Sequence, residues 1–264
     1  MRNALLCLIA VLLSPVIPAA QQPAARTLVA VFAHPDDEGV AAPVLARYAR
    51  EGVQVYLFVV TDGAAGGQQT SIASGLELAK VRAAEAQCAT DALGIRPPIL
   101  LGFPDGQLGT YAQDPVRLFK VAQRLQEELQ KVRPDALITW GADGGSGHPD
   151  HRLVSAVVTQ LVRAGAPGVP DRLFYASFPA DVMRAANPSR GEPPMLIPQA
   201  KHLTTRIAVT PRDLDAAERS LSCHKSQFPA DAMTRLAAAG RKAWSSGVLF
   251  APAFASSPQS DLFK

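Results

Sequence analysis

The stretch that decides the fold is VAVFAHPDDE, residues 29–38. Its first half is a run of small and β-branched apolar residues, which is typical of a strand buried on both faces of a parallel sheet. Its second half brings one imidazole and three carboxylates to the end of that strand, with a proline at the bend. Ligands of open α/β sheets bind at the carboxyl ends of the strands. The stretch therefore predicts a central strand and a functional site at its end.

A second cluster, GHPDH at residues 147–151, repeats these residue types after another apolar run, DALITW at residues 135–140. Histidine nitrogen and carboxylate oxygen bind borderline divalent metals such as Zn²⁺, and a catalytic zinc keeps three protein ligands and one open position. Taken alone, each cluster also fits a solvated turn or a helix start with proline in the first turn. Two such clusters at two strand ends predict one shared metal site.

Length and composition fit one α/β domain. The chain has 264 residues, of which 48% are hydrophobic, and a net charge of +3. It can bury one sizeable core, and its scattered basic residues give no electrostatic footprint for nucleic acid. Strand-like segments alternate with helical ones, which predicts a Rossmann-like, mostly parallel sheet with helices on both faces. Residues 21–264 are expected to form this single domain, and nothing indicates the oligomeric state.

Apolar periodicity and turn residues give the expected boundaries. The predicted strands are residues 27–33, 53–60, 98–101, 136–140 and 173–178, with a further edge strand at 207–209. The predicted helices are residues 39–51, 76–93 and 114–132, a helix opened by Pro149, and residues 213–227. Residues 179–202, rich in proline and arginine, are predicted to be a variable loop or lid, and the chain past Phe228 a mixed tail.

The N-terminus has the layout of a secretory signal peptide. Residues 1–3 carry a positive charge, residues 4–16 are nearly all apolar, and residues 18–20 are Pro-Ala-Ala. The apolar run is short for a membrane span. We therefore expect residues 1–20 to be removed and the protein to be secreted or periplasmic without a membrane span; an uncleaved anchor is the alternative. An exported protein can pair Cys88 with Cys223, although two free buried thiols fit the sequence equally well.

The motifs at residues 33–38 and 147–151 closely resemble those of the PIG-L/LmbE family of zinc-dependent deacetylases, which remove acetyl groups from N-acetylglucosamine-type substrates. The resemblance spans residues 27–228, because a Thr-x-Gly-x-x-Gly loop, an Arg-x-x-Glu helix and a His-x-Ser-Gln segment follow in the family's order. One position departs from the family pattern: Ala64 stands where the loop usually carries Glu. This departure leaves the substrate open without affecting the metal ligands.

The resemblance implies a role for six residues. The expected ligands of Zn²⁺, or alternatively Fe²⁺, are His34, Asp37 and His151. Asp36 is similar to the general base that deprotonates the attacking water. His148 is similar to the group that, when protonated, stabilises the tetrahedral oxyanion and can hand a proton to the leaving amine. Arg82 is similar to the arginine that contacts substrate hydroxyls, whereas spacing alone fits a surface ion pair between Arg82 and Glu85.

Several assignments stay open at the level of sequence. A ligand imidazole needs a hydrogen-bond acceptor to orient it, and Asp150 or Glu38 can serve. His224 fits either a site role or a structural hydrogen bond, and His202 is expected at the surface. The expected substrate is an N-acetylated amino sugar or glycoconjugate. The alternatives are another small amide or ester, or a glycan that is bound without turnover.

Overall fold

The computed structural model describes residues 25–67, 69–177, 198–254 and 257–264, without the side chains of Ser146 and Ala200. The predicted signal peptide at residues 1–20 and most of the predicted lid at residues 179–202 lie outside this part of the chain. None of the helices described there is long and apolar enough to cross a bilayer.

Within the described residues, seven strands form one sheet in the order β3-β2-β1-β4-β5-β7-β6. Their bounds are β1 Thr27–Phe32, β2 Gln54–Thr61, β3 Ile99–Phe103, β4 Ala136–Trp140, β5 Leu173–Ala176, β6 Thr205–Ile207 and β7 Val248–Pro252. Strands β1 to β5 pair in parallel, whereas β7 is antiparallel to β5 and to the edge strand β6. This is the strand order of a doubly wound fold, and the predicted fold class is confirmed.

Helices cover both faces of the sheet. Their bounds are α1 Ala42–Arg50, α2 Leu76–Leu93, α3 Leu108–Tyr111, α4 Pro115–Val132, α5 Gly144–Gly147, α6 Pro149–Arg163, α7 Pro211–Leu221 and α8 Ala230–Ala243, with 3₁₀ turns at Asp37–Val40 and Ala200–His202. Helix α4 begins as its sequence predicts, because the Asp114 carboxylate accepts hydrogen bonds from the amides of Val116 and Arg117. His202 is exposed, as expected.

Strand β1 lies between two apolar layers. Leu28, Ala30 and Phe32 pack into the layer that includes α1 and α7, whereas Val29 and Val31 pack into the layer that includes α4 and α6. Successive side chains of a strand point to opposite faces, so a run of apolar residues anchors β1 on both sides. This anchoring fixes the position of the loop that follows β1.

Two regions near the C-terminus differ from the predictions. The helix predicted at residues 213–227 ends as α7 at Leu221, where the Ser222 hydroxyl donates to the carbonyls of Glu218 and Arg219. Such side-chain bonds compete with continuation of a helix. The region past Phe228, predicted as a mixed tail, forms α8 and β7. Strand β7 is completed by pairing with strands distant in sequence, which local periodicity does not report.

A disulfide joins Cys88 on α2 to Cys223, just after α7. The two Cα atoms lie 5.8 Å apart, and 135 residues separate them in sequence. The open choice between a pair and two free thiols is thereby decided in favour of the pair.

Candidate active site

The loops that follow β1, β2, β3 and β4 line one open pocket of about 320 Å³ at the carboxyl edge of the sheet. This volume lies in the range of about 300–1,000 Å³ that small-molecule sites occupy. All six residues predicted for the site line this pocket: His34, Asp36, Asp37, Arg82, His148 and His151. Two distant segments of the chain thus meet in one place, while the roles of these residues stay predictions.

Three ligand atoms converge at the base of the pocket. Nδ1 of His34 lies 2.9 Å from Nε2 of His151, and Nε2 of His151 lies 3.1 Å from Oδ1 of Asp37. Nδ1 of His34 also lies 3.6 Å from Oδ2 of Asp37. Ligand atoms around a tetrahedral zinc, each at about 2.0–2.2 Å from it, are roughly 3.3–3.6 Å apart. The three side chains are therefore close enough to hold one ion.

The Asp37 carboxylate keeps one oxygen available. Oδ2 accepts hydrogen bonds from the amides of Ala33 and His34, at 3.0 and 2.9 Å, and from the indole Nε1 of Trp140 at 3.2 Å. Oδ1 faces His151 instead. Burial alone would raise the pKa of Asp37, but the His151 and His34 rings outweigh it and hold this pKa well below its ordinary value. Asp37 is therefore an ionised carboxylate with Oδ1 directed at the site.

The His151 ring is fixed in tautomer and in orientation. Its Nδ1 lies 2.8 Å from the Gly144 carbonyl oxygen, which can only accept, so Nδ1 carries a proton. The ring also stacks on Trp140, with centroids 4.7 Å apart and planes 5° apart. In the neutral ring, the Nε2 lone pair is left facing Asp37 and His34.

The His34 ring is oriented by carboxylates from two other loops. Its Nε2 lies 3.0 Å from Oδ1 of Asp105 and 3.4 Å from Oδ2 of Asp150. Burial disfavours the charged ring, yet hydrogen bonding to Asp105, Asp150 and Asp37 raises the pKa of His34 well above its ordinary value. A proton on Nε2 leaves the Nδ1 lone pair for a metal. Of the two acceptors that the sequence left open, Asp150 lies against the His34 ring, whereas Glu38 contacts His224 and the Asp36 amide.

This donor set fits a divalent cation. Nδ1 of His34 and Nε2 of His151 lie 2.9 Å apart, and the raised pKa of His34 favours a shared proton between them when no metal is bound. A divalent cation would take the place of that proton and accept a lone pair from each nitrogen. The anionic Asp37 oxygen completes a set of two imidazoles and one carboxylate.

Asp36 is held beside the metal ligands in an unusual backbone conformation. Its φ is 126°, a value that residues other than glycine rarely adopt, and its amide donates to Oε2 of Glu38 at 3.1 Å. Its carboxylate is 17% exposed and lies 3.4 Å from Nη2 of Arg82. Burial raises the pKa of Asp36 to about 6, with Arg82 opposing this rise and Asp37 reinforcing it. Asp36 can therefore exchange a proton near neutral pH.

Arg82 does not form the surface pair with Glu85 that spacing alone fits. It is only 3% exposed and donates to the carbonyls of Pro35 at 2.7 Å and Gly63 at 3.1 Å. Glu85 instead accepts hydrogen bonds from the amide and hydroxyl of Ser226. Arg82 thus ties the loop after β1 to the loop after β2, and its contact with substrate stays a prediction.

His148 is the N-cap of α6 and faces the same pocket. Its Nδ1 accepts a hydrogen bond from the Asp150 amide at 3.2 Å, which leaves the proton of the neutral ring on Nε2. Burial lowers the pKa of His148, and the neighbouring His34 and His151 rings lower it further. The free site therefore favours a neutral His148 whose Nε2–H is available as a donor.

Sequence reasoning missed two residues that line the pocket, Asp105 and Gln227. Asp105 lies in the GFPDG turn at residues 102–106, which the pattern places at this edge, and an acidic residue directly after a strand was the available signal. The Gln227 amide donates to the Gly66 carbonyl at 3.0 Å. It comes from the far end of the chain, and although it ends the His-x-Ser-Gln segment, apolar periodicity does not place it at the pocket.

His224 is buried beneath the pocket, where it contacts Glu38. It is 1% exposed, and its Nε2 lies 2.7 Å from Oε1 of Glu38, which also accepts from the Ser220 hydroxyl at 3.2 Å. Charge attraction and hydrogen bonding to Glu38 outweigh burial and raise the pKa of His224. Of its two open roles, the geometry favours the structural hydrogen bond.

Sequence comparison adds a family and a relative. A family model described as PIG-L, GlcNAc-PI de-N-acetylase, matches residues 29–162. A 1D-myo-inositol 2-acetamido-2-deoxy-alpha-D-glucopyranoside deacetylase of Nakamurella multipartita is 36% identical over 190 residues, which are 63% of this chain and 64% of the relative. The match thus spans less than two thirds of that relative's length.

Solved structures share the fold. The N,N'-diacetylchitobiose deacetylase from Pyrococcus horikoshii superimposes with a TM-score of 0.60 at 19% identity, covering 87% of this chain and 84% of that one. GalB, the 4-carboxy-2-hydroxymuconate hydratase of Pseudomonas putida KT2440, gives a TM-score of 0.59 at 13% identity, covering 89% and 99%. At these identities the likeness concerns the fold alone. The family model, however, matches half of the sequence and both His-Pro-Asp motifs, and the chain belongs to the PIG-L family.

Proposed function

We propose that this chain is a metal-dependent N-deacetylase, a hydrolase of a linear amide, that acts on an N-acetylated amino sugar or glycoconjugate. The observation that carries this proposal is the convergence of His34, Asp37 and His151 within 2.9–3.6 Å of one another, beside the Asp36 carboxylate. Membership of the PIG-L family supports the reaction class. The name of the Nakamurella relative supports a GlcNAc-type sugar.

The cofactor that fits this ligand set best is Zn²⁺, since two imidazoles and one carboxylate are a common catalytic zinc set, and Fe²⁺ is the alternative. When bound, such an ion supplies Lewis acidity and lowers the pKa of a coordinated water from ~15.7 to ~7. The protein's part is to orient the three ligands so that one donor atom of each faces the ion. The hydrogen bonds of Asp37, His151 and His34 serve that purpose.

Asp36 is the proposed general base. Its pKa of about 6 leaves it mostly ionised at neutral pH, yet basic enough to accept a proton from an attacking water. A positioned base of this kind contributes about 10²–10⁴-fold to a rate. Once protonated, Asp36 can pass the proton on to the departing amine nitrogen.

His148 is the proposed oxyanion donor, with two changes from the role that the family resemblance implies: its ring is neutral, and Asp36 protonates the leaving amine in its place. Because its pKa is lowered, a neutral ring donating from Nε2 fits the free site better than a protonated one. A preorganised donor to the developing oxyanion needs no net charge to stabilise it.

The protein is proposed to be exported to the periplasm or secreted. The signal-like pattern of residues 1–20 and the Cys88–Cys223 disulfide support this location, since disulfides persist in oxidising compartments. N-terminal sequencing of the mature protein from fractionated cells tests it. A protein that keeps residues 1–20 and remains in the cytoplasmic fraction contradicts it.

The test of the function combines metal analysis with acetate release. Purified protein is assayed on a panel of N-acetylated amino sugars and their glycosides, with simple acyl amides and esters as the matched comparison. We expect acetate only from the sugars, loss of release after chelation, and recovery on adding Zn²⁺. Release from simple amides or esters alone identifies a different hydrolase. Glycan binding by metal-loaded protein without any acetate identifies a non-catalytic relative.

A further inference from the structure

A row of side chains on α2 supports the site at three successive points. Arg82, Glu85 and Cys88 follow one another at intervals of three residues, so each side chain neighbours the next and the row turns from the buried Arg82 to the exposed Cys88. Arg82 holds the Pro35 carbonyl in the loop after β1, and Glu85 holds Ser226. Cys88 is covalently joined to Cys223. The row therefore runs from the pocket wall to the disulfide.

The Glu85–Ser226 hydrogen bonds and the Cys88–Cys223 disulfide hold one short segment, residues 223–227, which we call the C-terminal turn. This turn makes two contacts that reach the pocket. His224 binds the Glu38 carboxylate with Nε2 and Oε1 2.7 Å apart, and Gln227 donates to the Gly66 carbonyl at 3.0 Å. A Cβ added at Gly66 would lie 2.5 Å from Nη1 of Arg82, so this loop has little room to move toward α2.

The Glu38 carboxylate connects His224 to Asp36, the proposed base. Oε1 of Glu38 is bound to His224, and Oε2 accepts the amide of Asp36 at 3.1 Å. Asp36 has a φ of 126°, and a residue other than glycine keeps such a conformation only when its surroundings impose it. The His224–Glu38 pair is part of what imposes it.

We propose that the Cys88–Cys223 disulfide is a positioning element of the active site: it anchors the C-terminal turn, and through His224 and Gln227 it holds Asp36 and the Gly66 loop in place. This inference rests on the proposed deacetylase function. It makes turnover dependent on the oxidation state of the two cysteines. Cys88 lies on the exposed side of α2, so a small reductant can reach the bond.

The redox step is simple to balance with a trialkylphosphine as the reductant. The S–S bond breaks, the phosphine supplies two electrons, and water supplies two protons to the sulfurs and the oxygen of the phosphine oxide. Two thiols result. The turn is then tied to α2 by the Glu85–Ser226 hydrogen bonds without the covalent link.

The experiment compares wild-type protein before and after phosphine treatment with the double variant Cys88→Ser/Cys223→Ser. After reduction we expect kcat to fall about tenfold, since small misplacement of a reacting group is costly, with KM and bound metal unchanged. Reoxidation should restore kcat. The double variant should show the low kcat from the start and should not respond to phosphine, which makes it the control for side effects of the reductant.

Hydrogen exchange gives a readout that does not depend on activity. In reduced protein, the amides of residues 224–228 and of Gly67 should exchange faster, while those of β1 stay unchanged. Faster exchange throughout the sheet, together with metal loss, would show that the disulfide stabilises the whole fold and not the active site in particular, and would overturn the proposal. Unchanged kcat and unchanged exchange in the reduced protein also overturn it. If the double variant does not fold, the treated wild-type protein carries the test. If no form releases acetate, exchange still decides whether the disulfide anchors the turn.

Discussion

The tripeptide His-Pro-Asp occurs twice at the site, and its two copies have exchanged their roles. In residues 34–36, the histidine is the buried ligand and the aspartate faces the pocket. In residues 148–150, the histidine faces the pocket and the aspartate is fully buried, accepting from the amides of Gly106 and Gly109 and lying against His34. In the proposed function, the same three residue types thus supply a ligand and a base in one copy, and a donor and an orienting acid in the other.

The backbone that follows each copy explains the exchange. The first copy leads into a 3₁₀ turn, with Asp36 at a φ of 126°. The second leads directly into α6, whose first turn requires a cap, and His148 provides it. A histidine that caps a helix is kept at the surface end of that helix, while the aspartate of the first turn points back into the fold. Backbone conformation, and not residue type, assigns the roles.

The largest expected effect separates the two histidines. His34→Ala should abolish both metal binding and acetate release, because it removes one of three ligands. His148→Ala should keep about one metal per chain while kcat falls by about 10²–10³-fold, the usual result of losing an oxyanion donor. Metal analysis and steady-state kinetics on both variants measure this difference. Equal metal loss in the two variants would show that the roles of the copies are not exchanged.

The next effect concerns the proposed base. Asp36→Asn should lower kcat by about 10²-fold or more and leave the metal content unchanged, because the amide keeps the shape of the side chain but cannot accept the proton. The buried acid of the other copy is the comparison: Asp150→Asn should mainly weaken metal affinity, by about 10–100-fold, because it orients His34. Turnover at saturating metal and metal titration distinguish the two. Unaltered turnover in Asp36→Asn would mean that the base is misassigned.

The smallest effect is on the pH dependence of the unfolding free energy in metal-free protein. The pKa of Asp36 is raised to about 6, so its ionisation costs stability as pH rises from about 4 to above 6, and Asp36→Asn should remove that decline. The pKa of Asp150 is lowered, because hydrogen bonds with His34 and the Gly109 amide outweigh burial. Ionised Asp150 therefore stabilises the folded protein above about pH 4, and this stabilisation is lost as the pH falls through the lowered pKa of Asp150 in the folded state.

Urea unfolding in the presence of a chelator, over about pH 3 to 8, measures both contributions. The Asp36 contribution should be on the order of 3 kcal/mol, because burial raises its pKa from 3.8 to about 6 and one pKa unit is about 1.4 kcal/mol. The Asp150 contribution should be roughly 1.5–3 kcal/mol, the range for hydrogen bonds to a charged group. Asp150→Asn should lower stability at neutral pH, whereas Asp36→Asn should maintain or raise it. If stability depends on pH in the same way in both variants, the proposed difference between the pocket-facing Asp36 and the fully buried Asp150 is wrong.

Much of the site was predictable because its main parts lie in two short segments. The end of β1 and the start of α6 carry the three proposed metal ligands, the proposed base and the proposed oxyanion donor, and the ends of parallel strands must meet at one edge. Asp105, Gln227 and the partner of His224 were not predictable in the same way. Each acts through a contact between segments 40 to 186 residues apart, for which local periodicity carries no signal.

The same reason explains why β7 was not predicted. The boundaries of β4 and α2 follow from apolar spacing and were predicted to the residue. Strand β7 forms by pairing with β5 and β6. Helix α7 ends at the local Ser222 hydrogen bonds, and the turn that follows is held by Glu38, Glu85 and the disulfide. Except for the Ser222 hydrogen bonds, these are long-range contacts, whose formation depends on the assembled sheet.

The amino-acid sequence by itself determined the order of the five parallel strands and the long helices between them, and the two His-Pro-Asp motifs whose donor atoms suit a divalent metal, because apolar spacing and ligand chemistry are local properties. Only the tertiary structure decided which histidine of the two motifs is buried, which acids orient the ligand rings, and that Cys88 and Cys223 pair beside the turn that supports Asp36. These contacts join residues that are far apart in sequence. Their distances are set only when the helices pack on both faces of the sheet.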